Sequence, residues 1–86
     1  MVSKIITLKN KTGLHSRPAA SFVKKANGFK STVKIKKDNQ EIDGKSIISL
    51  LTLGAGYESR IKLTIEGDDE EKAMNELVEF FDQLID

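Results

Sequence analysis

The sequence predicts an α+β fold: one sheet of four amphipathic strands with three helices packed on one of its faces, in the order βαββαβα. Two alternating stretches, 32–37 and 60–66, and two stripes of helical spacing, 16–27 and 74–85, carry that prediction. Four strands with an apolar side each need a cover, and three helices on one side supply it. Eighty-six residues are enough for one core, so 1–86 is read as a single domain.

The first strand is expected over Val2–Lys9, where β-branched residues are dense and Ile6 and Leu8 alternate with Thr7 and Lys9. Asn10–Gly13 is a polar connection ending in a residue free to take unusual dihedrals. Over 16–27, Ala19, Phe22, Val23 and Ala26 fall on one helical face, and Asn27-Gly28 supplies a stop. Thr32–Lys37 turns Val33 and Ile35 one way and Lys34 and Lys36 the other. A tight turn at Lys37-Asp38-Asn39 leads to a short partner strand, Gln40–Asp43. Ile47–Leu53 is read as a short helix, with Ser46 as N-cap and Gly54 as C-terminal stop. So short an apolar run fits a strand equally on periodicity alone. Gly54–Tyr57 is a loop, and Arg60–Glu66 puts Ile61, Leu63 and Ile65 on one strand face. Asp68 and Glu71 have the spacing of a capping box. Met74, Leu77, Val78, Phe81, Leu84 and Ile85 then trace the last helix to the chain end.

Net charge is +1, yet the charges are segregated: residues 1–65 carry 13 basic and 4 acidic side chains, residues 66–86 carry 1 and 9. Such a dipolar surface steers acidic partners toward the basic part, which contains the only histidine. Without cysteine there is no disulfide, thiolate chemistry or Cys-based metal site. No apolar run approaches the roughly 20 residues of a bilayer span, and Met1–Lys4 runs straight into a strand without the pattern of a secretory signal. The expected location is the cytoplasm, with no membrane insertion.

The rarest residue types gather in Gly13-Leu14-His15-Ser16-Arg17-Pro18-Ala19-Ala20. His15 is the only histidine, Pro18 the only proline, and Arg17 one of two arginines. Imidazole is nucleophilic and titrates around neutrality. It precedes a helix whose first N–H groups and dipole favour an anion, and a helix start tolerates proline. Arg17 adds a fixed fork for phosphate oxygens. A nucleophile beside an anion cradle points to phosphoryl chemistry. There is no Walker-type loop and no carboxylate cluster for a magnesium nucleotide, so the chain is not expected to be a kinase by itself.

Gly13-Leu14-His15-Ser16-Arg17-Pro18-Ala19 resembles the active-site signature of the histidine-containing phosphocarrier family, HPr, of the bacterial phosphotransferase system. Lys45-Ser46-Ile47-Ile48 followed by Leu53-Gly54 resembles the family's second signature at matching positions, and the likeness extends over the whole chain. The resemblance implies an open-faced β-sandwich with a four-stranded antiparallel sheet. It implies that His15 accepts a phosphoryl group on Nδ1 from phosphorylated enzyme I, itself charged by phosphoenolpyruvate. His15 then donates the group to sugar-specific enzyme IIA proteins or domains. Arg17 steadies that group, with the backbone of Ser16 and Arg17 as its cradle. The chain is thereby a carrier and not a stand-alone enzyme, with no cofactor and no metal, and a monomer is expected.

Ser46 has two readings. As an N-cap it contributes about 0.5–2 kcal/mol over alanine. By resemblance it is also a regulatory phosphorylation site for an ATP-dependent HPr kinase/phosphorylase. The modified form then serves a catabolite-control transcription factor in carbon catabolite repression. Phosphate there adds about −1.5 to −2 charges at a helix start and repels an acidic partner. The resemblance further implies an exposed docking patch of Ile48 and Leu51, flanked by Ala20, Arg17, Lys24, Thr52 and Gly54. An apolar centre with a basic rim suits transient acidic partners. Of Ile47 and Leu50, one is expected in the core. Common Gram-positive forms carry methionines where this chain has Ile48 and Leu51, and alanine where it has Ser16. Retention of His15 argues against catabolite-repression paralogues that lack it.

Two other readings remain open. One is an HPr-like regulator of a nitrogen-related phosphotransferase chain. The other is a small nucleic-acid-binding module using Lys30, Lys34, Lys36 and Lys37. Against the latter, the strands lack aromatics on a common exposed face, there is no GXXG loop, and the last helix is acidic.

Overall fold

In the computed structural model, which describes residues 1–84, the elements follow the expected order. They are β1 (Val2–Thr7), α1 (Ser16–Ala26), β2 (Thr32–Lys37), β3 (Gln40–Asp43), α2 (Ile47–Leu53), β4 (Arg60–Glu66) and α3 (Glu70–Asp82). The four strands form one antiparallel sheet in the order β1-β4-β2-β3. Val33 and Ile35 of β2 and Ile61, Leu63 and Ile65 of β4 are buried, while Lys34, Lys36 and Lys62 between them are exposed. That period of two gives the sheet a covered side and an open side. Ala19, Phe22 and Ala26 of α1, Leu50 and Leu53 of α2, and Ala73, Met74 and Leu77 of α3 complete the core. Phe22 carries the α1–α3 contact, its ring 5.7 Å from Phe80 and 5.3 Å from Phe81 between centroids. The architecture is an α+β open-faced sandwich.

β2, β3, α2 and β4 have the expected bounds. Three element ends differ. β1 stops at Thr7, two residues early, although Leu8 still donates to the Ser59 carbonyl and accepts from Glu58 N–H. α1 stops at Ala26, but no left-handed residue ends it. Asn27 is right-handed at φ −69°, and Gly28 and Phe29 N–H groups close tight turns onto Lys25 and Ala26 carbonyls. α3 starts at Glu70 with Asp69 as N-cap, and the expected Asp68–Glu71 box does not form. The Asp69 carboxylate instead accepts from the N–H groups of Lys30 and Ser31, at 2.9 Å each, and from the Ser31 hydroxyl. Glu70, not Glu71, reaches back, accepting from Gly67 N–H at 3.1 Å. A tertiary tie to the segment before β2 has displaced the local cap. Leu84 lies beyond the end of α3, and Ile85, expected to end its stripe, lies outside the described residues.

α1 and α2 lie side by side and antiparallel. Leu14 N–H, just before α1, donates to the Ala55 carbonyl just after α2, at 2.8 Å. At the other end Asn27 Nδ2, just after α1, faces the Lys45 carbonyl just before α2, at 3.4 Å.

Candidate functional site

Gly13 makes the approach to His15 possible. Its φ is +62°, and a Cβ there would stand 2.3 Å from the Ala55 carbonyl oxygen and 2.6 Å from Gly56 Cα. Only glycine takes that conformation so close to a neighbouring backbone. Leu14 is driven into the core, 2% exposed, which throws the next side chain outward. His15 is exposed and is the N-cap of α1, with extended backbone (φ −90°, ψ −168°). Its carbonyl accepts the first helical bond, from Ala19 N–H at 2.8 Å.

The ring makes no capping hydrogen bond. An N-cap side chain ordinarily accepts from the second or third helical N–H, and the third position here is Pro18, which has none. Of the first-turn amides only Ser16 and Arg17 carry a proton, so both stay available to an anion beside the ring. Arg17 is exposed. The ion pairs among the described residues, the Met1 amino group with Glu70 and Lys25 with Glu76, leave its guanidinium without a carboxylate. A nucleophilic ring, two free amides and an unpaired cation therefore share one helix end.

A cavity of about 440 Å³ lies away from the His15 segment, lined by Lys25, Glu76, Glu79, Phe80, Gln83 and Leu84. His15, Ser16 and Arg17 are all exposed, and an exposed site suits a group exchanged with another protein better than a small substrate enclosed for catalysis.

The proposed docking residues are all at the surface: Ala20 and Lys24 on α1, Ile48 and Leu51 on α2, then Thr52 and Gly54. Ile48 is 74% and Leu51 42% exposed. Leu50 is the residue that enters the core, and Ile47 stays 39% exposed, which widens the apolar strip. Thr52 turns its hydroxyl inward, donating to the Ile48 carbonyl at 2.8 Å. The sequence reading places Lys37 in a turn and a basic stretch but not beside these residues. Lys37, at the end of β2, donates from Nζ to the Gly54 carbonyl at 3.4 Å. It thus brings a cation to the C-terminal end of α2, whose own last turn has none. Only the sheet register brings it there.

Ser46 caps α2 as expected, its Oγ accepting from Ser49 N–H at 3.3 Å, and Gly54 closes the helix in left-handed conformation at φ +67°. Because α1 and α2 are antiparallel, Ser46 and His15 stand at opposite ends of the pair. Eleven residues of α1 put roughly 16 Å between those ends. Ala20, Lys24, Ile48 and Leu51 lie in between.

Comparison with known proteins agrees with this geometry. A family model described as "PTS HPr component phosphorylation site" matches residues 2–83. The HPr-like protein Crh of Halalkalibacterium halodurans is 46% identical over 83 residues, covering 96% of this chain and 99% of that protein. The phosphocarrier protein HPr of Borreliella burgdorferi is 40% identical over 84 residues, covering 98% of each. Among solved structures, HPr of Thermoanaerobacter tengcongensis superposes with a TM-score of 0.93 at 45% identity, covering 95% of this chain and 92% of that one. A domain-swapped dimer of Bacillus subtilis Crh matches at 0.77 and 35% identity, covering 99% and 98%. The protein is thus a carrier module of the phosphotransferase system rather than a catalyst. The chain belongs to the HPr family.

Proposed function

We propose that His15 is the phosphoryl acceptor of this carrier, charged by phosphorylated enzyme I with phosphoenolpyruvate as the ultimate donor, and discharged to sugar-specific enzyme IIA. The observation that carries the reading is the uncapped imidazole at the start of α1, beside Pro18 and an unpaired Arg17. The Nδ1 lone pair attacks phosphorus. A P–N bond forms as the bond to the donor breaks, and that electron pair leaves with the donor. Arg17 and the Ser16 and Arg17 amides offset the charge on the phosphoryl oxygens, and positioning does most of the rest. An exposed site with few donors also releases the group, as a carrier must. The strip of Ala20, Lys24, Ile48, Leu51, Thr52 and Gly54 receives the acidic partners in turn. We place this work in the cytoplasm, by a single-domain monomer; no helix among the described residues is long and apolar enough to cross a membrane.

Incubation with phosphoenolpyruvate and enzyme I labels His15 with an acid-labile phosphate, and His15→Ala abolishes the label. Stoichiometric labelling of the alanine variant would overturn the assignment.

The 46% identity to a protein named Crh favours a second role, regulation through Ser46. The partners are an HPr kinase/phosphorylase and a catabolite-control transcription factor. At roughly 16 Å a phosphate on Ser46 is about two Debye lengths from His15 at physiological salt, so it acts on the docked partner and not on the ring. ATP and the kinase are expected to add a second, acid-stable phosphate. Its absence would leave Ser46 with capping alone.

A further inference from the structure

The His15 ring is exposed and makes no capping hydrogen bond, so the backbone that precedes it governs where the reacting atom stands. Asn10 is a buried polar residue, 6% exposed, in the loop between β1 and α1. Its Nδ2 donates to the Gly13 carbonyl at 2.8 Å, and its own carbonyl accepts from Gly13 N–H at 3.2 Å. The two bonds close residues 10–13 into a ring around left-handed Gly13. One residue later, Leu14 N–H is tied to Ala55 and its side chain sits in the core. The Gly13 carbonyl that Asn10 grips belongs to the peptide bond leading into Leu14. A swing of that peptide would be transmitted through Leu14 to His15. On the far side, Gly56 N–H bonds to the Ser59 hydroxyl at 3.0 Å, holding the loop against which Gly13 rests.

We propose that Asn10 is a positioning residue for phosphoryl transfer, clamping the Gly13–Leu14 peptide so that the exposed His15 ring is presented in one orientation to a protein donor. Burial makes the clamp worth having, since inside the protein an amide competes little with water for the carbonyl. Aspartate is the informative replacement. It has nearly the same shape but cannot donate, and its carboxylate oxygen would face the Gly13 carbonyl oxygen.

The kinetic arm of the test rests on the carrier role proposed above; the spectroscopic arm does not. In Asn10→Asp and Asn10→Ala, NMR relaxation of the His15 ring is expected to show a lower order parameter than in the parent protein. Transfer from phosphorylated enzyme I slows about 10- to 100-fold at saturating donor, with KM within about twofold, as a misplaced reacting group slows chemistry without weakening docking. Phosphoramidate, a small donor that can approach an exposed ring from any side, labels His15 at nearly the parent rate. Ser31→Ala removes a buried hydroxyl at the opposite tie, to Asp69, and is the control for lowered stability: it leaves ring order and transfer unchanged. Unchanged ring order in both Asn10 variants would overturn the proposal whether or not enzyme I labels the protein. So would a rise in KM without a fall in maximal rate, or an equal loss with phosphoramidate. Failure of enzyme I to label the parent protein would instead defeat the carrier assignment.

Discussion

Two helix starts stand at opposite ends of the exposed α1–α2 surface and treat their N-cap side chains in opposite ways. His15 and Ser46 both have extended backbone, at φ −90° and −112°. Ser46 turns its hydroxyl back onto Ser49 N–H and so stabilises its own helix. His15 makes no such bond, and Pro18 at the third helical position offers no amide to receive one. A helix start thus becomes chemically available when its own amides do not take up its side chain. The start of α3 is a third case: Asp69 is at the N-cap, but its carboxylate binds Lys30 and Ser31 across the fold.

The largest effect is expected on the glycine that sets up the His15 end. Gly13→Ala combines a left-handed φ with a Cβ 2.3 Å from the Ala55 carbonyl oxygen, and should cost about 3–5 kcal/mol in urea unfolding. Gly54, at nearly the same φ, has only Thr52 O within range, at 3.9 Å, so Gly54→Ala should cost about 1–2 kcal/mol. Equal losses would mean that dihedral preference alone, and not the close approach of the two loops, governs the His15 end.

A smaller difference tests the caps themselves. Ser46→Ala is expected to lose about 1 kcal/mol of stability, and His15→Ala to stay within about 0.5 kcal/mol of the parent. A comparable loss from His15→Ala would show that the ring does stabilise α1. The mildest effect is confined to acid. The Ser31 hydroxyl, then the Lys30 N–H, hold the Asp69 carboxyl down at about 2 from its ordinary 3.8. A depressed carboxylate contributes stability that is complete above the ordinary value and is lost as pH falls through the lowered one. Melting temperatures should therefore drop between about pH 4 and pH 2, and Asp69→Asn should flatten that stretch of the profile. An unaltered slope in the variant would assign the acid sensitivity to another group.

Most of the fold is legible in the sequence because most of its signals are local. Thr32–Lys37 and Arg60–Glu66 alternate cleanly, and Ser46 and Gly54 bracket α2 with a cap and a left-handed stop. His15, Arg17 and Pro18 are conspicuous through rarity and spacing alone. The misplaced start of α3 has the opposite origin: a local capping pattern gave way to a carboxylate drawn across the fold.

By itself, then, the sequence determined the order of the elements, the apolar side of each strand, and a histidine next to an arginine at a helix start. Periodicity, capping chemistry and the absence of an N–H in proline act within a few residues, so they can be read along the chain. Only the tertiary structure decided that α1 and α2 run antiparallel, which places His15 and Ser46 at opposite ends of one exposed surface. It also brought Lys37 to Gly54, buried Asn10 beneath the Gly13 carbonyl, and set Ala55 against Gly13. Those contacts join residues far apart in the chain or depend on what is buried, and both follow from the packing of the helices on the sheet.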